Sequence, residues 1–306
     1  MFEIRPSPGK GQGLFATRAI RRGERLIRES PLISLSPQED TRTHWWRFLY
    51  MKFESLSPED QAKYLELSYL PNKFPDHVNR ISFFLSADQG VKDEDVKAKA
   101  DFLIKIMSIY AVNNAEINDD GDSGSGIFPT FTRINHSCVP NTVWAYQPST
   151  QEVEVCANRN IAVDEEITVS YVITLAPSSV RAAEIEHYGF ECRCEACDGP
   201  GKDVSNQRRQ RISELDNMFR VYECKLQQDD SSPPVEFPGL NNVTASRLAS
   251  EYINLLIAER LLGGELVRAY NLSNRYHLLI GDHERAARAA EMASVYRVMP
   301  TLDEYE

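Results

Sequence analysis

Three things are scarce in this sequence. Cysteine is one, with six in 306 residues, too few for a scaffold stapled by disulfides. Apolar runs are another. Nothing approaches the ~18 consecutive apolar residues of a membrane-spanning helix, and Glu3 and Arg5 stand where a signal peptide carries its apolar core. An intracellular protein of the nucleus or cytoplasm, with no membrane partner, is expected. The third is positive charge: 34 Lys and Arg against 45 Asp and Glu leave a net charge of −11. A nucleic-acid surface shows the opposite balance, so no direct nucleic-acid contact is expected. An acidic chain suits a basic partner, such as a lysine-rich peptide, although many cytosolic proteins are as acidic.

What is present is ordinary globular material, 42% apolar and 26% charged, enough for one large domain or two of common size. Residues 1–35 read as short strands broken at Gly9, Gly11, Gly13 and Gly23. From about 40 to 112 the pattern turns helical. Ser57 and Pro58 make a good N-cap and first helical position, and Val96, Leu103, Ile106 and Tyr110 share one helical face. The run 119–126, rich in Asp, Gly and Ser, reads as a flexible loop. Residues 143–146 and 153–156 read as a hairpin, and Glu166 to Val172 alternates like a half-buried strand. Beyond the cysteines, Ile212, Leu215, Phe219 and Tyr222 share a face. A linker is expected over 227–242, then helices over 247–262, 265–280 and 283–299, each too amphipathic to stand alone.

The cysteines are unevenly placed. Cys192, Cys194 and Cys197 fall within six residues, close enough for their thiolates to converge on one ion, and tetrahedral zinc takes four such ligands. Cys138, His187, Cys224 and Cys156 are all candidates for the fourth, and spacing does not choose among them. Asn135-His136-Ser137-Cys138-Val139-Pro140-Asn141 concentrates polar and small residues between two predicted strands, which suggests a buried polar network or a ligand cradle. Gly9-Lys10-Gly11-Gln12-Gly13 could let backbone N–H groups approach a ligand, though a plain tight turn has the same composition.

Taken in order, Gly11-Gln12-Gly13, the segment 135–141, Asp164-Glu165-Glu166-Ile167-Thr168-Val169-Ser170-Tyr171 and Tyr188-Gly189-Phe190-Glu191-Cys192-Arg193-Cys194-Glu195-Ala196-Cys197 resemble the SET-domain family of protein-lysine methyltransferases. The resemblance covers residues 1–199. The helical insert and helical C-terminal part resemble the SMYD branch or its fungal relatives, without the MYND zinc finger of that branch. It implies an α+β fold: a SET-domain β fold over 1–200 with a helical insert at about 40–112, a zinc-binding post-SET segment at 186–199, and an all-helical, tetratricopeptide-like region over 205–306. It implies S-adenosylmethionine and zinc as cofactors. Lys10, Gly11, Gln12, Asn114, Asn135, His136, Tyr171, Tyr188 and Phe190 would bind the former, with Asn113 competing with Asn114 for register. Cys138, Cys192, Cys194 and Cys197 would hold the zinc, and Tyr171 would be the catalytic tyrosine. The expected partner is a protein or peptide with an exposed lysine, a histone among the candidates, bound by a monomer. The C-terminal helices are expected either to face the SET part across a substrate cleft whose acidic side chains favour a basic peptide, or to form a helical cap that only stabilises the SET core. An inactive SET scaffold that binds a protein partner is the alternative, against which Tyr171, Asn135 and His136 together argue.

Overall fold

The computed structural model describes residues 1–40, 44–71, 73–87, 92–119, 122–227 and 241–298. The opening segment makes four strands: β1 (Phe2–Ser7), β2 (Gly11–Ala16), β3 (Arg25–Glu29) and β4 (Ile33–Leu35). β1 and β2 pair antiparallel with Ser7 opposite Gly11. Gly9 and Gly11 turn the chain between them at φ 74° and 77°, a left-handed backbone that costs glycine nothing.

The insert is helical, as its spacing predicts: α1 (Pro37–Asp40), α2 (Trp45–Glu54), α3 (Pro58–Leu65), α4 (His77–Ser86) and α5 (Val96–Asn113). Ser57 caps α3, its Oγ accepting from the Asp60 N–H at 3.1 Å. On α5 the predicted face of Val96, Leu103, Ile106 and Tyr110 is buried, and so are Met107 and Ile109. The helix is buried more widely because it serves two cores, one around Leu49, Phe53 and Tyr64 and one around Trp46 and Ile81.

The loop expected over 119–126 is not what forms. β5 (Ala115–Asp119) and β6 (Asp122–Ile127) make a hairpin, and β6 also pairs with β4. Its small residues answer to crowding: a Cβ on Gly124 would lie 2.6 Å from the Leu35 carbonyl oxygen. Composition that suggests mobility here permits close strand packing.

β7 (Asn135–His136), β8 (Thr142–Gln147), β9 (Glu152–Ala157) and β10 (Glu166–Val169) follow. β8 and β9 form the expected hairpin, Thr142 opposite Ala157. β10 stops at Val169 rather than continuing to Val172, so Tyr171 lies just past a strand end. The sheets, in order β1-β2-β10-β7, β3-β9-β8 and β4-β6-β5, enclose a shared core that includes Leu14, Ile27, Phe128, Ile134, Val155 and Ile167.

The rest is helical: α6 (Ser178–Glu186), α7 (Glu195–Asp198), α8 (Lys202–Gln227), α9 (Asn242–Ala258), α10 (Gly264–Leu279) and α11 (His283–Tyr296). The expected linker falls almost wholly outside the described residues, as do the side chains of Tyr222 and Cys224. Helices α8 to α11 share one core in which Phe219, Tyr252, Leu256, Leu266 and Tyr276 are buried; each such side chain stabilises by about 1.5–3 kcal/mol. Arg209 of α8 joins this part to the β part. Its guanidinium donates to the Cys138 carbonyl at 2.9 Å, to the Thr174 carbonyl, and to Glu259, the residue that caps α9, at 3.0 Å. Among the described residues no helix is long and apolar enough to cross a membrane.

Candidate active site and metal centre

The site begins with a strand pairing. β7 lies parallel to β10, Asn135 beside Thr168 and His136 beside Val169, and β10 pairs in turn with β2 through Ile167 and Leu14. Segments far apart in sequence are thereby laid side by side. Gly13 leaves room for the side chains that join them: a Cβ there would lie 2.7 Å from both Asn135 Nδ2 and Glu166 Oε1, so a larger residue would displace those two groups.

Glu166 is the hub of this junction. It accepts from Ser7 Oγ at 2.7 Å, Lys10 Nζ at 2.9 Å and Asn135 Nδ2 at 2.8 Å. Burial disfavours its charge, but the hydrogen bonds from Lys10, Asn135 and Ser7 outweigh that and hold its pKa below the usual carboxylate value. Asn135 also donates to the Gln12 carbonyl at 3.0 Å, which ties the glycine loop to β7. Asn141 is a staple rather than a cavity residue: its amide donates to the Glu166 carbonyl at 2.8 Å and accepts from the Thr168 N–H at 2.8 Å.

Two cavities meet beside these strands. The first, of about 230 Å³, is lined by Gly9, Lys10, Gln12, Asn113, Asn135, His136, Tyr171, Tyr188 and Phe190, with residues 67–70 of the insert as its far wall. The second, of about 300 Å³, has Asn113, Asn114, Phe131, Trp144, Ser170, Tyr171 and Tyr188. Tyr171 and Tyr188 line both, their rings 5.0 Å apart. Of the predicted cofactor residues, Gly11 and Asn114 do not line the first cavity. Gly11 shapes the turn that presents its neighbours, and Asn114 lines the second cavity, its amide donating to the Tyr110 carbonyl at 2.9 Å. It is Asn113 that reaches the first cavity, anchored to the Ser68 carbonyl at 2.7 Å.

Tyr171 is held at both ends. Its O–H donates to the Ile134 carbonyl at 2.6 Å, and its N–H donates to His136 Nδ1 at 3.0 Å. Burial pushes its phenol well above the usual range, so it stays neutral at physiological pH. Burial pushes the His136 pKa down to about 4. A neutral imidazole that accepts at Nδ1 carries its proton on Nε2, which faces Cys138 Sγ at 3.3 Å.

That sulfur belongs to the cysteine cluster. Cys138, Cys192, Cys194 and Cys197 place their sulfurs within 4.8 Å of one another, with Cys138 3.9 Å from Cys192 and 3.6 Å from Cys197. Four sulfurs about 2.3 Å from a tetrahedral zinc stand about 3.8 Å apart, so the set could hold that ion. Of the other candidates, Cys156 is buried in β9 opposite Val143, His187 is not among the clustered groups, and Cys224 lies outside the described side chains. Arg181 of α6 completes the centre, with Nε 3.2 Å from Cys138 Sγ and Nη2 3.6 Å from Cys197 Sγ. Burial disfavours its charge, yet these sulfurs hold its pKa above the ordinary value.

Sequence reasoning missed Glu166, Arg181 and the wall at 67–70. Glu166 reads as one polar residue in an alternating strand and Arg181 as one cation on a helix. Neither has a local signal, because the partners that give each its place in the site, Ser7, Lys10 and Asn135 for Glu166 and the Cys138 and Cys197 sulfurs for Arg181, come from other segments of the chain.

A model of the SET domain matches residues 11–172, more than half of the chain. The chain belongs to the SET domain family. It is 27% identical over 289 residues to Histone-lysine N-methyltransferase set5 of Schizosaccharomyces pombe, a match covering 94% of this chain and 75% of that one. N-lysine methyltransferase SMYD2-B of Xenopus laevis is 25% identical over 274 residues, 68% of this chain and 63% of its own. Human N-lysine methyltransferase SMYD2 is 32% identical over 134 residues, 43% of this chain and 29% of its own. A fungal SET protein and SMYD proteins are thus among its relatives, in line with the motifs. The solved structure of Rubisco LSMT bound to AdoMet superposes with a TM-score of 0.42 and 12% identity, over 96% of this chain and 87% of that one.

Proposed function

We propose that this chain is an S-adenosylmethionine-dependent protein-lysine N-methyltransferase, acting as a monomer in the nucleus or cytoplasm on a protein with an exposed lysine, histones among the candidates. Residues 1–200 would form its catalytic domain and 205–306 its helical region. The observation that carries the reading is the meeting of two cavities at Tyr171 and Tyr188: one transfers between two bound molecules by holding them end to end across a shared wall.

The first cavity suits the cofactor by its chemistry. Lys10, the Gln12 backbone and Asn135 offer polar partners for an amino-acid end, while Tyr188 and Phe190 offer ring faces for a purine. When bound, S-adenosylmethionine supplies an electrophilic methyl group on its sulfonium. Phe131, Trp144, Tyr171 and Tyr188 make the second cavity aromatic, which strips water from an entering lysine and favours its neutral, nucleophilic amine. The Tyr171 hydroxyl gives its hydrogen to Ile134 and so keeps its lone pairs as acceptors. It can take an N–H of the amine, which aims the nitrogen, or a polarised C–H of the methyl group. As a neutral phenol it orients and does not act as the base.

Zinc at the cysteine centre would be structural, since sulfur fills all four positions and none is left for substrate. It would fix Cys138, and through it His136 and the Tyr171 backbone, while holding Tyr188 and Phe190 over the cavities.

The test is methyl transfer from radiolabelled S-adenosylmethionine to a cell extract, with the modified side chain identified by mass spectrometry. Label on lysine is expected. Label on no protein lysine, from folded protein that binds the cofactor, contradicts the reading.

A further inference from the structure

Tyr171 stands where the sheet no longer holds it. β10 ends at Val169, and beyond that point side chains take up the main-chain groups that a ladder would have paired. The Tyr171 N–H donates to His136 Nδ1 at 3.0 Å. Farther along, the Ala176 carbonyl accepts from Arg181 Nη1 at 2.5 Å, and the Thr174 carbonyl accepts from Arg209.

Two of these side chains meet at one atom. With its proton on Nε2, the His136 ring faces Cys138 Sγ at 3.3 Å, and Arg181 Nε reaches the same sulfur from α6 at 3.2 Å. Arg181 Nη2 also lies 3.6 Å from Cys197 Sγ. All of this is out of water: His136 is 3% exposed, Cys138 0% and Arg181 1%. Both ring nitrogens of His136 are thus engaged within the protein, and neither is left for the S-adenosylmethionine that the resemblance would have it bind. Arg181 has its own reason to be there. Four thiolates outweigh the charge of one zinc ion, and a buried anionic centre of that kind needs a cation and N–H donors around it.

We propose that Arg181 and His136 are positioning residues for methyl transfer, joined through the sulfur of Cys138. Arg181 holds the sulfur, the sulfur orients the imidazole by accepting from Nε2, and the imidazole sets the Tyr171 backbone between the two cavities. The inference rests on the lysine methyl transfer proposed above and assigns it two residues that act through others.

The test uses the full zinc-loaded chain with the variants Arg181→Met and Arg181→Lys. Zinc affinity is read by competition with a chelator, the His136 ring by nitrogen NMR of labelled imidazoles assigned through His136→Gln, and transfer in single turnovers. Wild-type His136 should show a protonated Nε2 and an accepting Nδ1. Arg181→Met should loosen zinc at least about 10-fold, the scale of a lost outer-shell partner, and shift the His136 signals. At saturating zinc it should still transfer at least about 10-fold more slowly, with S-adenosylmethionine affinity within a few-fold of wild type. Arg181→Lys, which keeps the charge and fewer donors, should recover part of each loss. A residue that only holds the metal would lose nothing once zinc saturates, so a wild-type rate and unchanged His136 signals under that condition overturn the proposal. A wild-type His136 with its proton on Nδ1 overturns it too. If Arg181→Met does not fold, the same comparison on Arg181→Lys decides. The zinc and NMR readings apply whether or not any lysine is methylated, which separates failure of this link from failure of the enzymatic reading.

Discussion

The site on the β part and the helical part are held together by different physics. Around the first cavity and the cysteine centre the contacts are polar and directional: Glu166 takes three side-chain donors, and Arg181 reaches two sulfurs. Helices α8 to α11 are held by apolar burial, with Phe219, Tyr252 and Tyr276 at the centre. Directional contacts fix atoms tightly, as a reaction between two bound molecules requires. Apolar contacts fill space and tolerate other residues of like volume. Damage to the first part should therefore cost chemistry before stability, and damage to the second the reverse.

Metal removal should strain that contrast most. Structural zinc sites contribute about 10–16 kcal/mol of apparent binding energy in small zinc-held units, and the local core here is only Cys138, Val139 and Ala196 with the other cysteines packed against it. Chelation, or Cys138→Ser, should expose residues 186–199 to proteolysis and abolish transfer while most far-UV helicity remains. Metal analysis should find one zinc per chain, and active protein without zinc would contradict the assignment. Phe219→Ala, by opening a cavity among the helices, should cost about 3–5 kcal/mol in urea denaturation yet leave cofactor affinity near the wild-type value.

Arg209→Met probes the joint between the parts. It leaves Glu259 buried with less compensation, at a cost of about 3 kcal/mol, and frees the Cys138 carbonyl, so zinc should also be held less tightly. Arg209→Met with Glu259→Leu should recover part of the stability, and a double-mutant cycle measures how much. The smallest effect is on pH dependence. The folded-state pKa of Glu166 is depressed, so its contribution is complete above the ordinary carboxylate pKa of about 4.3 and drains as pH falls through the lower, folded value. Glu166→Gln should flatten the acid limb of the stability curve; an unchanged limb would show that the three donors add no net stabilisation.

Motifs made much of the β part legible. Tyr171, His136, Asn135 and the four cysteines come together as the resemblance implies, because each sits in a short segment with its own signature. What stayed hidden depends on distant partners. The hub role of Glu166 needs Ser7 and Lys10, some 156 to 159 residues away, and the shift from Asn114 to Asn113 at the first cavity depends on where α5 ends. In the helical part periodicity located three helices and their buried faces but not the charge of the exposed ones. Net charge pointed to acidic side chains in a substrate cleft, while among the described residues the recess between the β part and helices α8 and α10 has Arg220, Arg268 and Arg275 in its lining; an average over the chain says nothing of which side chains a packing angle gathers.

The central claim is that Tyr171 stands between a cofactor cavity and a lysine cavity and acts by orienting. Tyr171→Phe removes one oxygen and keeps the ring that both cavities use. Calorimetric titration with S-adenosylmethionine alongside single-turnover methyl transfer tests it directly. The account predicts cofactor affinity within a few-fold of wild type and a transfer rate lower by at least about 10²-fold, the scale of a positioned polar group. Wild-type transfer by Tyr171→Phe, or loss of rate explained wholly by lost cofactor binding, would contradict it.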